Sequence, residues 1–366
     1  GGVPRMQQQL QETAAEPMEA EEEQMPVAET SEQRRERQRA NPRSELHRRL
    51  LKHADSAGGL FEHGKKGPPD KYTIVNLVFG LPVEAARGIY HYMCVDEDFI
   101  NVQKARGLAA LEEEVNAHGN ETDIECLHYV LHEEAGSSPK GFQGGRKRDC
   151  GPDGNVLKER LVTDNGVTRP MVLADFVKLA QKEAPSIKEQ HVAALRFYTT
   201  AAYMSINDPL RDLDRKEAGQ PHKLPITVAF IQHALKLLRE VESRSPQKNK
   251  QVDLYRGMRN VSVPEEFAHD GGTELALMST TANLRTAVEY AASTRSVLLR
   301  LRTRNFMTRG PGVAFLSAFP GEQEYLYPPL TYLQPVHDPV THEPIVEELE
   351  VDDAVFSVID VEPHMS

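Results

Sequence analysis

The apolar positions of this chain change their period along its length, and this change separates the predicted elements into two groups. As far as residue 241, apolar residues recur three and four positions apart, which is the spacing of one helix face. Helices are predicted at 85–93, 105–115, 171–181, 190–205 and 225–241. The last of these carries one apolar stripe, formed by Phe230, Ile231, Ala234, Leu235 and Leu238, and is expected to pack against a core.

After the polar segment 243–251, apolar and polar residues alternate, which is the pattern of strands with one buried face. Strands are predicted at 252–256, 296–302, 313–317, 324–327 and 354–361. A chain in which helices come first and strands follow is typical of an α+β fold.

Composition divides the chain into four predicted regions. Residues 1–66 are polar and bury too little apolar surface to fold, so they are predicted to be a disordered arm, in which acidic and basic runs indicate either a docking helix or a solvated tail. Residues 67–140 are predicted to form a small helical domain, 141–168 a flexible linker, and 169–366 the larger domain. The glycines of the linker lack the Gly-Lys-Ser/Thr ending of a phosphate-binding loop.

Net charge and cysteine content narrow the class of protein. The 366 residues carry a formal net charge of −12 and contain no apolar run of membrane-spanning length. An acidic balance disfavours a nucleic-acid partner, because phosphates are neutralised by an excess of Lys and Arg. Three widely spaced cysteines cannot form a disulfide framework, so a cytoplasmic location is expected, although the start at Gly1-Gly2 without Met indicates an incomplete N-terminus.

One helix of the small domain contains a candidate metal site. Cys126, His128 and His132 are predicted to share this helix, and the two histidines have the i, i+4 spacing that can chelate a metal. A fourth ligand is not evident. Ordinary surface or half-buried histidines are the favoured interpretation, and no metal is expected.

Two acids stand one residue apart in the segment Phe319-Pro320-Gly321-Glu322-Gln323-Glu324. In an extended segment Glu322 and Glu324 project from the same face, because strand side chains alternate with a period of two. Like charges this close raise the pKa of at least one partner. The pair is therefore either a solvated strand end or a functional site. The other motifs of the chain are needed to distinguish these two interpretations.

Four short segments in the second half of the chain form the basis of a family resemblance. They are Tyr-Thr-Thr-Ala-Ala-Tyr-Met-Ser-Ile-Asn at 198–207, Leu-Tyr-Arg-Gly at 254–257, Met-Ser-Thr-Thr at 278–281 and Glu-Gln-Glu at 322–324. Together they resemble the arginine-serine-glutamate class of mono-ADP-ribosyltransferases, over residues 165–366. The resemblance implies helices packed on two mainly antiparallel sheets around a cleft for NAD, and it is closest at 317–329, the catalytic turn.

The resemblance assigns the reaction chemistry to three of these residues. Cleavage of the bond between nicotinamide and ribose develops positive charge on the sugar, which a nearby carboxylate, Glu324, would stabilise. Arg256 would bind the pyrophosphate of NAD, the alternative being a pair with a surface acid. Ser279 would orient Glu324, and Thr281 stands where the family often has serine, so that the hydroxyl is kept.

The acceptor is implied by Glu322. In the family, a glutamate two residues before the catalytic one accompanies arginine as acceptor. The physical reason is that an anion can bind and help to deprotonate a guanidinium, which is otherwise not nucleophilic. Phe319 would contact the target protein, together with Gln323 in the same loop. The alternative is that Phe319 anchors the turn by packing beneath it.

Further NAD contacts are implied for Tyr198, Tyr203, Asn207, Gly257 and Tyr290. As alternatives, Tyr198 is buried on the apolar face of its helix, and Asn207 caps a helix end. Tyr290 either stacks on nicotinamide, where the family more often has Phe, or packs in the core.

The function predicted from these residues is transfer of ADP-ribose from NAD to arginine on a target protein that exposes such a side chain. NAD is the only cofactor expected, as a co-substrate. Two alternatives remain open: an NAD glycohydrolase, in which water is the acceptor, and a catalytically silent NAD-binding or interaction module. The presence of Arg256, Ser279 and Glu324 together favours an enzyme.

Overall fold

The computed structural model describes residues 78–79, 88–137, 146–261, 263–293, 295–351 and 354–365. The predicted polar arm at 1–66, the beginning of the helix predicted at 85–93 and the glycine-rich segment 141–145 lie outside these residues. Helices and strands are both present in the described part of the chain, in the order of an α+β fold, as predicted.

Short helices form the first part of the described chain. They are α1 (Ile89–Tyr92), α2 (Glu97–Arg106), α3 (Leu108–His118) and α4 (Glu121–His132). The helix predicted at 105–115 is confirmed from residue 108, but its first residues belong to α2, because Gly107 adopts φ +66 and separates α2 from α3. A right-handed helix cannot continue through that conformation, which glycine adopts without strain.

Five helices follow a short β-hairpin made of β2 (Leu161–Asp164) and β3 (Val167–Pro170). They are α5 (Leu173–Glu183), α6 (Glu189–Tyr198), α7 (Tyr203–Arg211), α8 (Leu213–Glu217) and α9 (Pro225–Arg244). The helix predicted at 190–205 is two helices. The hydroxyls of Thr199 and Thr200 donate to the carbonyls of Arg196 and Phe197, and such local bonds compete with continuation of the helix.

Strands, with two short helices between them, make up the rest of the described chain. In order they are β4 (Val252–Arg259), α10 (Glu265–Asp270), β5 (Gly272–Glu274), β6 (Met278–Thr281), α11 (Leu284–Ala291), β7 (Arg295–Thr303), β8 (Glu324–Tyr327), β9 (Thr331–Pro335), β10 (Val346–Val351) and β11 (Ala354–His364). The strand predicted at 313–317 is wrong. The amides of Leu316 and Ser317 donate to the carbonyl of Val313, so this segment is a turn.

Pairing is mainly antiparallel, with β7 and β11 as a parallel pair. The resemblance implied two sheets. In the structure β1 (Val78–Phe79) and β4–β11 form one sheet, in the order β1-β5-β9-β11-β7-β4-β6-β8 with β10 beside β11. The strands β6 and β8 are attached to the rest of the sheet through the single pair Tyr255↔Thr281.

The helices before residue 138 and those after residue 171 share one apolar core, with Leu111 and Val130 in the same cluster as Phe197 and Phe230. A buried carboxylate joins them further. Glu114 of α3 accepts hydrogen bonds from the backbone amides of Ile226 and Thr227, at 2.7 and 2.8 Å, where α9 begins. The regions predicted as a helical domain and a catalytic domain are therefore packed as one unit where the structure describes them.

The described part of the predicted flexible linker is packed. Arg148, Asp149 and Arg160 are at most 1% exposed. Charged residues are rarely buried without partners, so this segment is fixed by specific contacts rather than by chance compaction. No helix among the described residues has the length and apolar character needed to cross a membrane.

Candidate active site

The acid pair lies where a turn enters β8. Pro320–Glu322 forms one turn of 3-10 helix, and Gln323 adopts φ 49 and ψ 49, a left-handed conformation. The expectation that Glu322 and Glu324 project from one face of an extended segment is therefore wrong. Glu324, the first residue of β8, is 6% exposed, whereas Glu322 stays in the turn with its side chain 18% exposed.

Burial raises the pKa of Glu324 to about 7. The neighbouring hydroxyl of Ser279 opposes this change, and the negative charge of Glu322 adds to it. At neutral pH the carboxyl group therefore exchanges readily between its neutral and charged forms. The two acids are coupled electrostatically although their side chains do not share a strand face.

The strand β6 positions this carboxylate. It pairs with β8 so that Thr281 lies opposite Glu324 and Ser279 opposite Leu326, which places Ser279 and Glu324 diagonally across the ladder. The hydroxyl of Thr281 donates to the carbonyl of Glu322 and accepts from the amide of Asn283 at 2.9 Å. Thr281 thus ties the turn to the strand.

A buried ion cluster lies beside these strands. Arg256 of β4 donates to the carbonyl of Ser279 at 3.0 Å, and its guanidinium is 3.7 Å from the carboxylate of Glu274. Glu274 also binds Arg211 through two hydrogen bonds of 2.9 and 3.1 Å. Burial alone would raise the pKa of Glu274, but the two arginines hold it below its usual value.

Glu274 and Arg211 were not predicted from the sequence. The signal was present, because Glu274 directly precedes an apolar run at 275–278, where a lone charge needs a partner. The partner itself could not be read from the sequence, since Arg211 is on a helix 63 residues earlier in the chain. The alternative in which Arg256 pairs with a surface acid is wrong, because Glu274 is 6% exposed.

Tyr198 and Asn207 meet at the end of α6 and inside α7. The amide nitrogen of Asn207 donates to the Tyr198 hydroxyl and to the carbonyl of Leu277, both at 3.1 Å. Tyr198 is 3% exposed, and its pKa is raised, by burial first and then by the charge of Glu324. The Oδ1 atom of Asn207 is buried without a hydrogen-bond partner among the described residues, so it is an acceptor that a ligand could satisfy.

Three other predicted NAD contacts have distinct surroundings. Tyr203 is the first residue of α7 and is 40% exposed. Gly257 faces the backbone of α11, where a Cβ atom would come within 1.9 Å of the Ala287 carbonyl oxygen, so helix packing alone requires glycine there. Tyr290 is 49% exposed, and the interpretation that it packs in the core is wrong.

The carboxylate of Glu322 is bound by two side chains. Its Oε1 atom accepts from Nη2 of Arg146 at 2.7 Å and from the hydroxyl of Tyr290 at 2.8 Å. The same guanidinium lies over the ring of Phe319, 5.3 Å from its centroid. Phe319 is 7% exposed, which fits the turn-anchor alternative, while one face of its ring meets Arg146. Arg146 was missed because it lies in the predicted linker.

A second acidic centre, Asp149, lies below the turn. Its carboxylate accepts from the hydroxyl of Tyr129 at 2.6 Å and from Arg160 and Arg196, each at 2.8 Å. Its backbone amide donates to the carbonyl of Ala318 at 2.7 Å. Three elements distant in sequence are thereby joined at one buried carboxylate.

The arginines of this centre hold the backbone of the turn. Arg160 donates to the carbonyls of Ala314, Phe315 and Ser317 at 2.8 to 3.1 Å. Arg196 donates to the carbonyl of Leu316 at 2.8 Å. Because these carbonyls are at positions 314–317, the buried network fixes the segment that leads to Phe319 and the acid pair.

The histidines of α4 remain close together, with ring centroids of His128 and His132 5.1 Å apart. Cys126 on the same helix is fully buried and accepts from Arg148. Among the described residues, no group of three or more His, Cys, Asp or Glu side chains is placed to hold a metal ion.

Comparisons with known proteins bear on the class of enzyme. Residues 174–345, just under half of the chain, match the family model described as NAD:arginine ADP-ribosyltransferase. A search of curated protein sequences gave no match. The match supports assignment of the activity to the class of ADP-ribosyltransferases, with NAD as the substrate.

Solved structures similar to this chain include ADP-ribosyltransferases. The eukaryotic mono-ADP-ribosyltransferase ART2.2, solved as a mutant with NADH, is 16% identical, with a TM-score of 0.35 over 53% of this chain and 77% of that one. HopU1 of Pseudomonas syringae is 19% identical, with a TM-score of 0.36 over 56% and 92%. An ADP-ribosyltransferase from Clostridium botulinum is 15% identical, with a TM-score of 0.33 over 52% and 94%.

The groups at this site suit NAD. A dinucleotide needs a cation for its pyrophosphate and hydrogen-bonding groups for its riboses, and cleavage needs a carboxylate near the anomeric carbon. The guanidinium of Arg256 is partly exposed, Asn207 has an unsatisfied acceptor, and Glu324 is a buried carboxyl group. Each requirement has a candidate on the strands and helices described above.

Proposed function

We propose that this chain is a mono-ADP-ribosyltransferase of the arginine-serine-glutamate class, which transfers ADP-ribose from NAD to arginine side chains of a target protein. The observation that carries the arginine assignment is the pairing of Glu322 with a guanidinium at 2.7 Å, two residues before the buried Glu324. A carboxylate that binds one guanidinium in this turn can bind that of a target.

In this proposal each residue has a separate role. Arg256 binds the pyrophosphate, and Tyr198 with Asn207 contacts the nucleotide. Ser279 holds Glu324, whose ionised carboxylate binds the ribose 2′-hydroxyl and stabilises the positive charge that develops on the sugar as nicotinamide leaves. Glu322 binds the acceptor guanidinium and takes a proton from it. The guanidine nitrogen attacks C1′ from the face opposite nicotinamide, which inverts the β-configuration of NAD, so that the product is α-linked. The reaction needs no metal.

The turn at 317–323 is the proposed contact with the target protein. It is held from below by the network around Asp149, while Glu322 and Gly321 lie at its outer side, where a Cβ on Gly321 would meet nothing within 4 Å. A rigid base with an open tip suits recognition of a macromolecule. The three cysteines are free thiols, in keeping with the proposed cytoplasmic location.

An NAD glycohydrolase is the second candidate. One observation favours it: Glu322 is already paired with Arg146, and while that pair persists water is the acceptor with the easier access.

The test is incubation of the protein with NAD, with and without agmatine, a small guanidine. Nicotinamide release and ADP-ribosyl-agmatine are measured by liquid chromatography. We expect both products from the wild type, and a loss of about 10²–10³-fold in both for Glu324→Ala, the range for removal of one electrostatic group at a transition state. Glu362→Ala is the matched control, because Glu362 is a strand glutamate that pairs with Arg304.

Three outcomes separate the candidates. Release of nicotinamide without ADP-ribosyl-agmatine identifies a glycohydrolase. Labelling of proteins by an NAD analogue on residues other than arginine contradicts the acceptor assignment. Absence of NAD cleavage by the wild type contradicts the enzyme assignment altogether.

A further inference from the structure

Arg146 occupies the position at which the proposed acceptor would bind. Its Nη2 atom donates to Glu322 at 2.7 Å and lies 3.4 Å from the Tyr290 hydroxyl. Its guanidinium lies over the Phe319 ring at 5.3 Å, within the range of a cation–π contact. A carboxylate, a hydroxyl and an aromatic face together surround one half of the guanidinium.

The other half of this guanidinium is open. The side chain of Arg146 is 51% exposed. Among the described residues, neither its Nε nor its Nη1 has a hydrogen-bond partner, so a nitrogen is left for a further reaction partner. This distinguishes Arg146 from Arg160, whose guanidinium is buried and donates to one carboxylate and three carbonyls.

The chain itself holds Arg146 beside the turn. Asp149, three residues further on, is fully buried and donates from its amide to Ala318, the residue before Phe319. The pairing of Arg146 with Glu322 is therefore intramolecular, and a tethered partner acts at a high effective concentration, of the order of millimolar for short connections.

Partial burial would lower the pKa of Arg146, but the Glu322 carboxylate outweighs burial and raises this pKa. The guanidinium thus stays protonated until a base accepts a proton during attack. Glu322 is the base in contact with it.

We infer that Arg146 accepts ADP-ribose from the active site of its own molecule and is therefore a site of automodification. The inference rests on the proposed function. In the reaction, a guanidinium proton of Arg146 passes to Glu322, and a guanidine nitrogen supplies the electron pair for a new bond to C1′ of the ribose. The bond from C1′ to nicotinamide breaks, and its electron pair leaves with neutral nicotinamide. The modified guanidinium retains its positive charge.

A competing effect follows from the same contacts. A target guanidinium can bind Glu322 only when Arg146 has moved away, so its apparent affinity is reduced by the fraction of molecules in which Glu322 is free. Exposed ion pairs contribute about 0.2 to 1 kcal/mol, which corresponds to a reduction of about two- to sixfold.

The first experiment measures modification without an added acceptor. The full chain is incubated with NAD, digested, and analysed by mass spectrometry with fragmentation that retains ADP-ribose. We expect the label on Arg146, with a first-order rate constant that does not change with protein concentration. A rate constant proportional to protein concentration would mean transfer between molecules and would overturn the inference.

The second experiment uses variants and agmatine. Arg146→Ala removes both the acceptor and the competitor, so we expect loss of the label and a KM for agmatine that is about two- to sixfold lower. Arg146→Lys keeps a cation that can pair with Glu322 but offers no guanidine, so we expect loss of the label and a KM closer to that of the wild type. Arg285→Lys is the matched control, because Arg285 is an equally exposed arginine paired with a glutamate, Glu289, on α11.

The outcomes distinguish the two proposals. If agmatine is modified but Arg146 is not, and Arg146→Ala leaves the KM unchanged, the inference about Arg146 is wrong and the proposed function stands. If neither agmatine nor any arginine of the chain is modified, the proposed function itself fails. Thermal unfolding of each variant verifies that it is folded.

Discussion

Two carboxylates of this protein, Asp149 and Glu322, each bind arginine and a tyrosine hydroxyl, yet their surroundings differ. Asp149 is fully buried, and two buried arginines and a buried tyrosine satisfy both of its oxygens. Glu322 is partly exposed, and its two partners, an arginine and a tyrosine, are each about half exposed and bind the same oxygen. The residue types are alike, so burial and saturation of hydrogen bonds make the difference.

Under the proposed function, this difference separates a structural centre, Asp149, from a binding residue, Glu322. Removing one partner of a buried, saturated ion network leaves the other charges without compensation in a medium of low polarity. An exposed pair contributes little, because water replaces either partner at small cost. Asp149 therefore fixes the turn, whereas Glu322 can exchange its arginine for another guanidinium.

The largest expected effect comes from Asp149→Ala. It leaves Arg160 and Arg196 buried without their carboxylate, and loss of one partner of a buried ion pair destabilises by about 3–5 kcal/mol. Urea unfolding followed by circular dichroism measures the change. Glu113→Ala, which breaks the exposed pair with Arg106, is the control and should leave the midpoint unchanged. Equal midpoints for both variants would remove the distinction between buried and exposed pairs.

A smaller effect is expected from Glu322→Gln, measured on activity. The amide keeps a hydrogen-bonding group beside Tyr290 but cannot accept a proton from the acceptor guanidinium. Transfer to agmatine should fall about 10²-fold, the usual contribution of a general base, while hydrolysis of NAD continues. Both rates are measured in one assay.

Glu289→Gln provides the control for that experiment, since Glu289 is an exposed glutamate paired with Arg285 on α11. It should leave both rates at the wild-type values. Equal losses of transfer and hydrolysis in Glu322→Gln would contradict the separate roles of the two acids and would make Glu322 part of the cleavage step.

Much of the fold follows from local patterns. The alternation that predicts strands at 252–256, 296–302, 324–327 and 354–361 coincides with β4, β7, β8 and β11. Helix breaks were harder to predict, because they depend on single residues such as Gly107 and Thr200, whose effect on the period is small. The turn at 313–317 has the composition of a strand, and backbone carbonyls held by distant arginines keep it from being one.

The candidate site likewise has a part that the sequence predicts and a part that it does not. Arg256, Ser279 and Glu324 were grouped by the family resemblance of the motifs that contain them, and they lie on the neighbouring strands β4, β6 and β8 of the sheet. The contact of Arg146 with Glu322 spans 176 residues and that of Arg160 with Ser317 spans 157. No periodicity links such pairs. A linker rich in charge and glycine looks the same in sequence whether its charges are solvated or buried.

Burial has different consequences for the two buried glutamates Glu114 and Glu324. Burial raises the pKa of both Glu114 and Glu324 to about 7. Glu114 accepts three hydrogen bonds, two from backbone amides at the start of α9 and one from the Thr227 hydroxyl. The carboxyl group of Glu324 is influenced by one hydroxyl and by the like charge of Glu322. The first is saturated by its own chain, whereas the second keeps capacity for a ligand.

The smallest expected effect is a shift in a pH profile, and it tests whether the acids act as a coupled pair. Only ionised Glu324 stabilises positive charge, and the ionised fraction increases as pH rises through about 7. The kcat/KM for NAD hydrolysis without an acceptor should therefore increase between pH 6 and pH 8, from about a tenth to about nine tenths of its plateau.

In Glu322→Gln the negative charge that raises the pKa of Glu324 is absent, so the midpoint of this profile should move to lower pH. Glu289→Gln should keep the wild-type midpoint. A midpoint that moves to higher pH would show that Glu322 acts on Glu324 through something other than its charge. A profile without an increase near pH 7 would mean that the carboxylate of Glu324 does not limit cleavage, and the contrast between Glu324 and Glu114 would then lie in position alone.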